Sequence, residues 1–417
     1  MVNTIDLFAG CGGLTEGFNQ SRFYNTIACI EWDKAPCDTL RYNLKNKWNY
    51  TDAEKRVIQF DIQRTNELIN GWSDDWYGES GGLDSLVKEY GDNVDLIIGG
   101  PPCQAYSVAG RIRDKDGMKN DYRNYLFENY IEIVKHYQPK AFVFENVPGL
   151  LSARPGNGEK LIVDIIKERF NEAGYVILDD LSKAVIDFTE YGVPQKRSRI
   201  IILALNKSMI KNPDELLNDF YFSVLPSKKV ARVRTVRDAI SDLPKLFPLE
   251  TEIKIDRKTY SHTLPDETFS IPNHTPRFSS KRDMEIFKLL TEDIESGQNK
   301  YVSSEALKEL YTQITGKTSN IHKYHVIRWD EPSNTIPAHL YKDGLRHIHP
   351  DSKQLRTITV REAARLQTFP DDFKFITGTA LDYKMIGNAV PPLFAKILAD
   401  CIYNTLFDKG DDLYTKS

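Results

Sequence analysis

Thr4-Ile5-Asp6-Leu7-Phe8-Ala9-Gly10-Cys11-Gly12-Gly13 is the stretch on which the fold turns. Its apolar first half has the length of a buried strand. Its glycines predict a tight turn from which backbone amides reach a ligand at a helix N-terminus. The run lacks the full G-x-G-x-x-G spacing, so taken alone a plain strand-to-helix turn is the alternative. Working outward, Thr26–Ile30, Val57–Phe60, Val94–Ile98, Ala141–Phe144 and Ile200–Leu205 read as further strands, with helical patterns such as Asn124–His136 and Glu159–Ala173 between them. That alternation predicts a doubly wound α/β sheet of Rossmann-like type with helices on its faces. Ligands of such sheets sit beyond the carboxyl ends of the strands, so the residues after each apolar run are the first to search for chemistry.

The rhythm breaks near Asn206. Up to His349 the chain is polar, irregular and punctuated by proline, with only Lys281–Glu295 and Ser303–Tyr311 patterned as helices. Thr359-Val360-Arg361-Glu362 then forms a capping box at the head of a short helix that stops near Pro370, and Leu393–Phe407 follows Pro391-Pro392 as a last helix. The expected division is a first domain over 1–205, completed by 378–417, and a smaller one over 206–377. A length of 417 residues suits two cores better than one.

Composition is that of a globular protein, 41% hydrophobic and 27% charged, and no apolar run approaches the ~20 residues of a membrane span. The start carries no signal-peptide pattern, which predicts a cytoplasmic protein without membrane association. Five scattered cysteines, none in a Cys-x-x-Cys pair, argue against a disulfide framework and a zinc cluster alike. His322 with His325, and His347 with His349, lack cysteine companions, and no metal is expected. A net charge of -4 means that any nucleic-acid footprint must come from local clustering.

At the strand ends the residue types are unusual. Glu31 and Asp61 each follow a strand, where they suit either a nucleoside-containing cofactor or a solvated helix cap. Gly99-Gly100-Pro101-Pro102-Cys103-Gln104 sets a thiol at the ligand edge on a stiffened backbone, a position for a nucleophile rather than for a core cysteine. Gln104–Asn124, with few apolar anchors, has the make-up of a lid. Phe144-Glu145-Asn146-Val147-Pro148 puts a carboxyl group at the same edge, where burial would raise its pKa. In Gln195-Lys196-Arg197-Ser198-Arg199, strand alternation turns Arg197 and Arg199 the same way. Lys228, Lys229, Arg232, Arg234 and Arg237 form a basic stripe that reads as a DNA-cleft lining or as a solvated face.

In order and in kind, these residues resemble the DNA (cytosine-5) methyltransferase family of the bacterial restriction-modification type. Phe8-Ala9-Gly10-Cys11-Gly12-Gly13 resembles its cofactor glycine motif and Glu31-Trp32-Asp33 its ribose segment. Asp61 matches the residue that faces the adenine amino group, and Gly100-Pro101-Pro102-Cys103-Gln104 the catalytic motif. Glu145-Asn146-Val147 resembles the ENV motif, Gln195 to Arg199 the Q-x-R-x-R motif, Arg361 to Gln367 with Phe369-Pro370 the ninth motif, and Gly387-Asn388-Ala389-Val390 the last. Two departures stand out: Ile62–Asn93 is longer than compact members need, and the recognition region, about 206–349, carries no transferable code.

The resemblance implies S-adenosylmethionine (AdoMet) as methyl donor, held by Phe8, Gly10, Gly12, Gly13, Glu31, Trp32, Asp61, Pro101, Asn388 and Ala389. It implies Cys103 as the nucleophile that adds to carbon 6 of a flipped-out cytosine, Glu145 as the acid at nitrogen 3, Arg199 at oxygen 2, and Arg197 as an orienting group. Gln104, Ser107, Arg111 and Arg113 are the expected loop contacts to double-stranded DNA, beside the basic stripe. A monomer paired with a restriction endonuclease is expected, a solitary methylase being the other case. A tRNA cytosine methyltransferase would carry a Cys-Phe-Thr tripeptide in the recognition region, which holds no cysteine, and a non-catalytic relative would have lost Cys103, Glu145 or Arg199.

Overall fold

The computed structural model describes residues 1–102, 126–154, 160–318, 324–342, 344–408, 410 and 413–415. Its main sheet contains β1 (Val2–Leu7), β2 (Tyr24–Glu31) and β3 (Val57–Gln59). The short β4 (Trp72–Asp74) and β5 (Gly78–Ser80) form a separate hairpin. The main sheet continues with β6 (Leu96–Gly99), β7 (Ala141–Asn146), β8 (Tyr175–Val176), β9 (Val185–Asp187) and β10 (Ser198–Asn206). Strand order is β3-β2-β1-β6-β7-β10-β8, with β9 also paired to β10. The first five of these in space run parallel, and β10 lies antiparallel to β7. The sheet is therefore mixed, as a doubly wound methyltransferase-type α/β sheet requires.

Chain order reverses direction at β1, which has β2 on one side and β6 on the other. That switch point leaves a crevice beyond two adjacent strand ends, where the glycine turn and Gly100-Pro101 emerge. The middle of the sheet is covered on both faces: Ile200, Ile201, Ile202, Leu203, Ala204 and Leu205 are all fully buried. This is why β10 reads as an unbroken apolar run rather than as an alternating one.

The chain separates into two compact units, one of 1–191, 197–231 and 389–417, the other of 192–196 and 232–388. These limits differ from the expected 205/206 and 377/378 at both joins. Residues 206–231 belong with the sheet because Tyr221 donates to the Ile201 carbonyl at 2.7 Å and accepts from the Leu203 amide at 2.8 Å. Residues 378–388 belong with the second unit because Tyr383 is buried there and donates to the Ile358 carbonyl at 2.6 Å.

In the first unit the helices Gly13–Ser21 and Pro392–Ile402 pack face to face. Gly17 makes this possible, since an added methyl would lie 2.6 Å from the Pro392 carbonyl oxygen. By length and composition Thr379–Phe407 is apolar enough to cross a membrane. It is broken at Pro391-Pro392 into two helices, and 67% of its apolar window is buried inside the protein. The long segment after Asp61 forms the helix Thr65–Asn70, the β4–β5 hairpin and the helix Gly82–Tyr90. Trp72 and Tyr77 close over Phe60 at ring separations of 4.2 and 4.7 Å, while Trp76 is 84% exposed. A cleft of ≈ 510 Å³ runs between this hairpin and β3.

The second unit carries β11 (Pro248–Ile255) and β12 (Lys258–His262), an exposed hairpin whose tip residues Asp256 and Arg257 both take left-handed backbone. Its helices Lys281–Glu295 and Ser304–Thr315 share a core of Ile286, Phe287, Leu290, Leu307 and Leu310.

Candidate active site

Three strand ends of the first unit carry the residues expected to hold a cofactor. After β1, Phe8, Gly10 and Gly12 all adopt positive φ (60°, 57° and 92°), so the chain doubles back before the helix that begins at Gly13. Gly13 itself is required by close approach, with the Val390 amide 3.1 Å from where a methyl would sit and Ala389 beside it. The carboxylate of Glu31 accepts from the Gly10 amide at 2.9 Å on one oxygen and from the Trp32 and Asp33 amides at 2.9 Å on the other. Burial raises its pKa, and those amides pull the other way. The Trp32 ring stands beside it, 56% exposed. Asp61 accepts from the Gln63 amide at 3.0 Å and is half-buried.

Beneath the glycine turn lies a residue the motif reading passed over. Asp6 is 1% exposed, and Thr15 donates to it at 2.6 Å from the first helix. Burial, opposed by the Thr15 hydrogen bonds and reinforced by Glu31, raises its pKa to about 7. The signal available in sequence was an acidic residue between Ile5 and Leu7 of a buried strand.

The residues expected to be catalytic lie at the ends of β6 and β7 and the start of β10. Glu145 stands directly opposite Ile201 in the antiparallel pair, so Arg199 lies on the diagonal and on the same face. Its Nε donates to Glu145 Oε1 at 2.9 Å, with both side chains largely buried (13% and 17% exposed). Burial raises the pKa of Glu145, against the pull of Arg199 and Arg197. Arg197 is buried, donates to the Ala389 carbonyl at 3.1 Å, and is driven far below its usual range by burial and by Arg199. Asn146 donates to the Pro101 carbonyl at 3.3 Å and accepts from the Val147 amide, which ties the ENV segment to the loop after β6.

The structure thus brings together Glu145, Arg199 and Arg197, and separately Phe8, Gly10, Gly12, Gly13, Glu31, Trp32 and Ala389. Cys103, Gln104, Ser107, Arg111 and Arg113 lie outside the described residues, as does His322. Asn388 closes an exposed helix end in the second unit. The basic stripe is divided between the two units and much of it is neutralised. Lys229 pairs with Glu190 at 2.8 Å, Arg232 with Asp238 at 3.0 Å, and Arg237 with Asp330 at 2.9 Å. Those carboxylates favour the solvated-face reading for Lys229 and Arg232.

In the ninth motif, Arg361 and Glu362 hold the second unit together. Glu362 completes the predicted capping box with Thr359 and receives Arg356 on both oxygens at 2.7 Å, in a fully buried pair. Arg361, wholly buried, donates to the carbonyls of Pro272, Pro370 and Phe373.

A doubly wound sheet with a glycine turn at its switch point and a buried carboxyl–guanidinium pair beside a Gly-Pro-Pro loop is the arrangement the sequence resemblance leads one to expect of a methyltransferase. The model for the C-5 cytosine-specific DNA methylases matches residues 2–404. The chain belongs to that family and is a DNA (cytosine-5) methyltransferase. It is 34% identical to the type II methyltransferase M.Bpa9945I of Bacillus paralicheniformis, over 96% of this chain and 98% of that one. It is 31% identical to M.DdeI of Desulfomicrobium norvegicum, over 96% and 88%. Among solved structures it is similar to a putative DNA modification methyltransferase from an Escherichia coli prophage, with a TM-score of 0.58, 25% identity, and 97% and 99% of the two chains covered.

Proposed function

We propose that Cys103 adds to carbon 6 of a cytosine flipped out of double-stranded DNA while Glu145, in its protonated form, meets ring nitrogen 3. The observation that carries this is Glu145 itself: a carboxyl group held in a largely buried site that raises its pKa, fixed on one oxygen by Arg199 and leaving the other for a substrate. Addition of the thiolate pushes electrons onto the ring, so a proton donor at nitrogen 3 and a cation at oxygen 2 stabilise what forms. Arg199 supplies the cation. Arg197, anchored on the Ala389 carbonyl, orients these groups.

The residues after β1 and β2 fit AdoMet. Gly10 leaves open space, with nothing within 4 Å of where a methyl would sit, Glu31 is pinned by three amides so that its remaining lone pairs face ribose hydroxyls, and the exposed Trp32 ring offers a stacking face for adenine. Bound there, AdoMet supplies the methyl group for carbon 5. Target recognition falls to the second unit, whose exposed β11–β12 ribbon has the dimensions of a major-groove reader. The type II names of the relatives favour a modification enzyme acting on DNA beside a restriction endonuclease, and we take it to work as a monomer in the cytoplasm.

DNA carrying 5-fluorocytosine tests the chemistry, because fluorine does not leave as a cation and elimination stalls. Mass spectrometry should find an AdoMet-dependent adduct on the Cys103 peptide. Full turnover without an adduct overturns the mechanism.

A further inference from the structure

We infer that Gly100 is a positioning residue for the Glu145 carboxyl group, and that its missing side chain is the space in which that carboxyl sits. The inference rests on the proposed role of Glu145. Gly100 does not take a left-handed backbone, so its conformation is open to any L-residue and does not by itself call for glycine. What calls for glycine is space. A methyl built on Gly100 would lie 2.5 Å from Glu145 Oε2, and the next two atoms it meets, at 3.5 and 3.6 Å, are the carbonyl oxygen and Cβ of Glu145. The other carboxyl oxygen, Oε1, is already held at 2.9 Å by Arg199. The carboxyl is therefore bracketed, with a cation on one side and the α-carbon of Gly100 on the other.

Neighbouring Gly99 provides the contrast. A methyl there would press on backbone and ring, with the Leu7 carbonyl carbon and Tyr130 Cε2 both at 3.1 Å. Neither is free to move, since Leu7 lies in the sheet and Tyr130 is fully buried. At Gly100 the obstacle is instead the end of a flexible side chain, which yields without disturbing the fold. It yields by moving the one carboxyl group the chemistry needs, and displacement of about 1 Å at a reacting centre costs up to ~10²-fold in rate.

The test is a set of variants in the full chain: Gly100→Ala, Gly99→Ala, Glu145→Asp, Glu145→Gln and the double Gly100→Ala/Glu145→Asp. Single-turnover methylation, the KM for AdoMet and melting temperature are measured for each. Gly100→Ala is expected to lose roughly 10²-fold in the single-turnover rate, with the AdoMet KM and the melting temperature held. Gly99→Ala is expected to lower the melting temperature. Aspartate is one methylene shorter and withdraws from the added methyl, so Gly100→Ala in the Glu145→Asp background should change the rate less than twofold, a non-additivity that reports contact between the two sites. The inference is overturned if Gly100→Ala turns over like the parent, if it melts as early as Gly99→Ala, or if its loss persists beside Glu145→Asp. An active Glu145→Gln would instead remove the catalytic role of Glu145, a failure distinguishable from the first.

Discussion

Glu145 in the sheet unit and Glu362 in the second unit bury a carboxyl group in opposite ways. In the sheet unit Asp6, Glu31 and Glu145 are buried at strand ends with pKa values raised, burial outweighing whatever pairs with them. In the second unit the buried acid Glu362 is instead held well below its usual range: burial opposes this, but Arg356 on both oxygens, with His349 beside it, prevails. His262, His274 and His349 are buried there with pKa values lowered, His349 to about 3. Acids kept short of full compensation are poised to exchange protons or meet a ligand, whereas a saturated network holds a shape.

Removing one acid from each unit should break this symmetry in the largest way. Glu145→Gln is expected to lower kcat by about 10²- to 10⁴-fold at an unchanged or higher melting temperature, since it deletes a proton donor and the cost of burying it. Glu362→Ala is expected to cost about 3–5 kcal/mol of stability, because Arg356 is left charged and unpaired in the interior. Calorimetry and steady-state kinetics on both variants decide the matter; a stable Glu362→Ala would mean that the network is not structural.

A pH series should show smaller effects of opposite sign. The buried histidines have folded pKa values below the 6.5 of the free group, so the stability they allow is complete above pH 6.5 and is lost as pH falls toward about 3. Glu362, with its folded value depressed, adds to that loss below about 4.5. Asp6 runs the other way. Its folded value is raised to about 7, so its contribution is complete below 3.8 and lost as pH rises through about 7. Hydrogen exchange read peptide by peptide at pH 5, 6.5 and 8 should therefore show the second unit loosening in acid and the β1 turn loosening in base. Parallel behaviour in both units would contradict the comparison.

The smallest expected effect sharpens the last point. Asp6→Asn keeps an acceptor for Thr15 and removes the ionisable group, so it should raise the melting temperature by roughly one to three degrees at pH 8 and flatten the dependence there. A fall in melting temperature at pH 8 would show that the ionised carboxylate stabilises the turn.

Most of the sheet was legible because its strands are short apolar runs ended by glycine, proline or an acid. Thr26–Ile30 and Ala141–Phe144 lie inside β2 and β7, and the capping box Thr359/Glu362 formed as its spacing predicts. The unit limits were harder to read, because Tyr221 and Tyr383 look alike in sequence and only their hydroxyl partners tell which core each one joins. The basic stripe kept two readings open for the same reason: Glu190, Asp238 and Asp330, which pair with Lys229, Arg232 and Arg237, are invisible in a reading of the positive charges alone.

By itself, the sequence determined the class of fold, the order of the strand ends and the residue types placed on them, because a period-two or apolar run and the glycine after it are local properties of the chain. Only the tertiary structure decided that Arg199 meets Glu145, that Asp6 lies buried under the turn, and that Gly100 is empty space for a carboxyl. Each depends on which strands become neighbours, and in what register, across gaps of tens of residues. Chain-local patterns carry no term for that pairing.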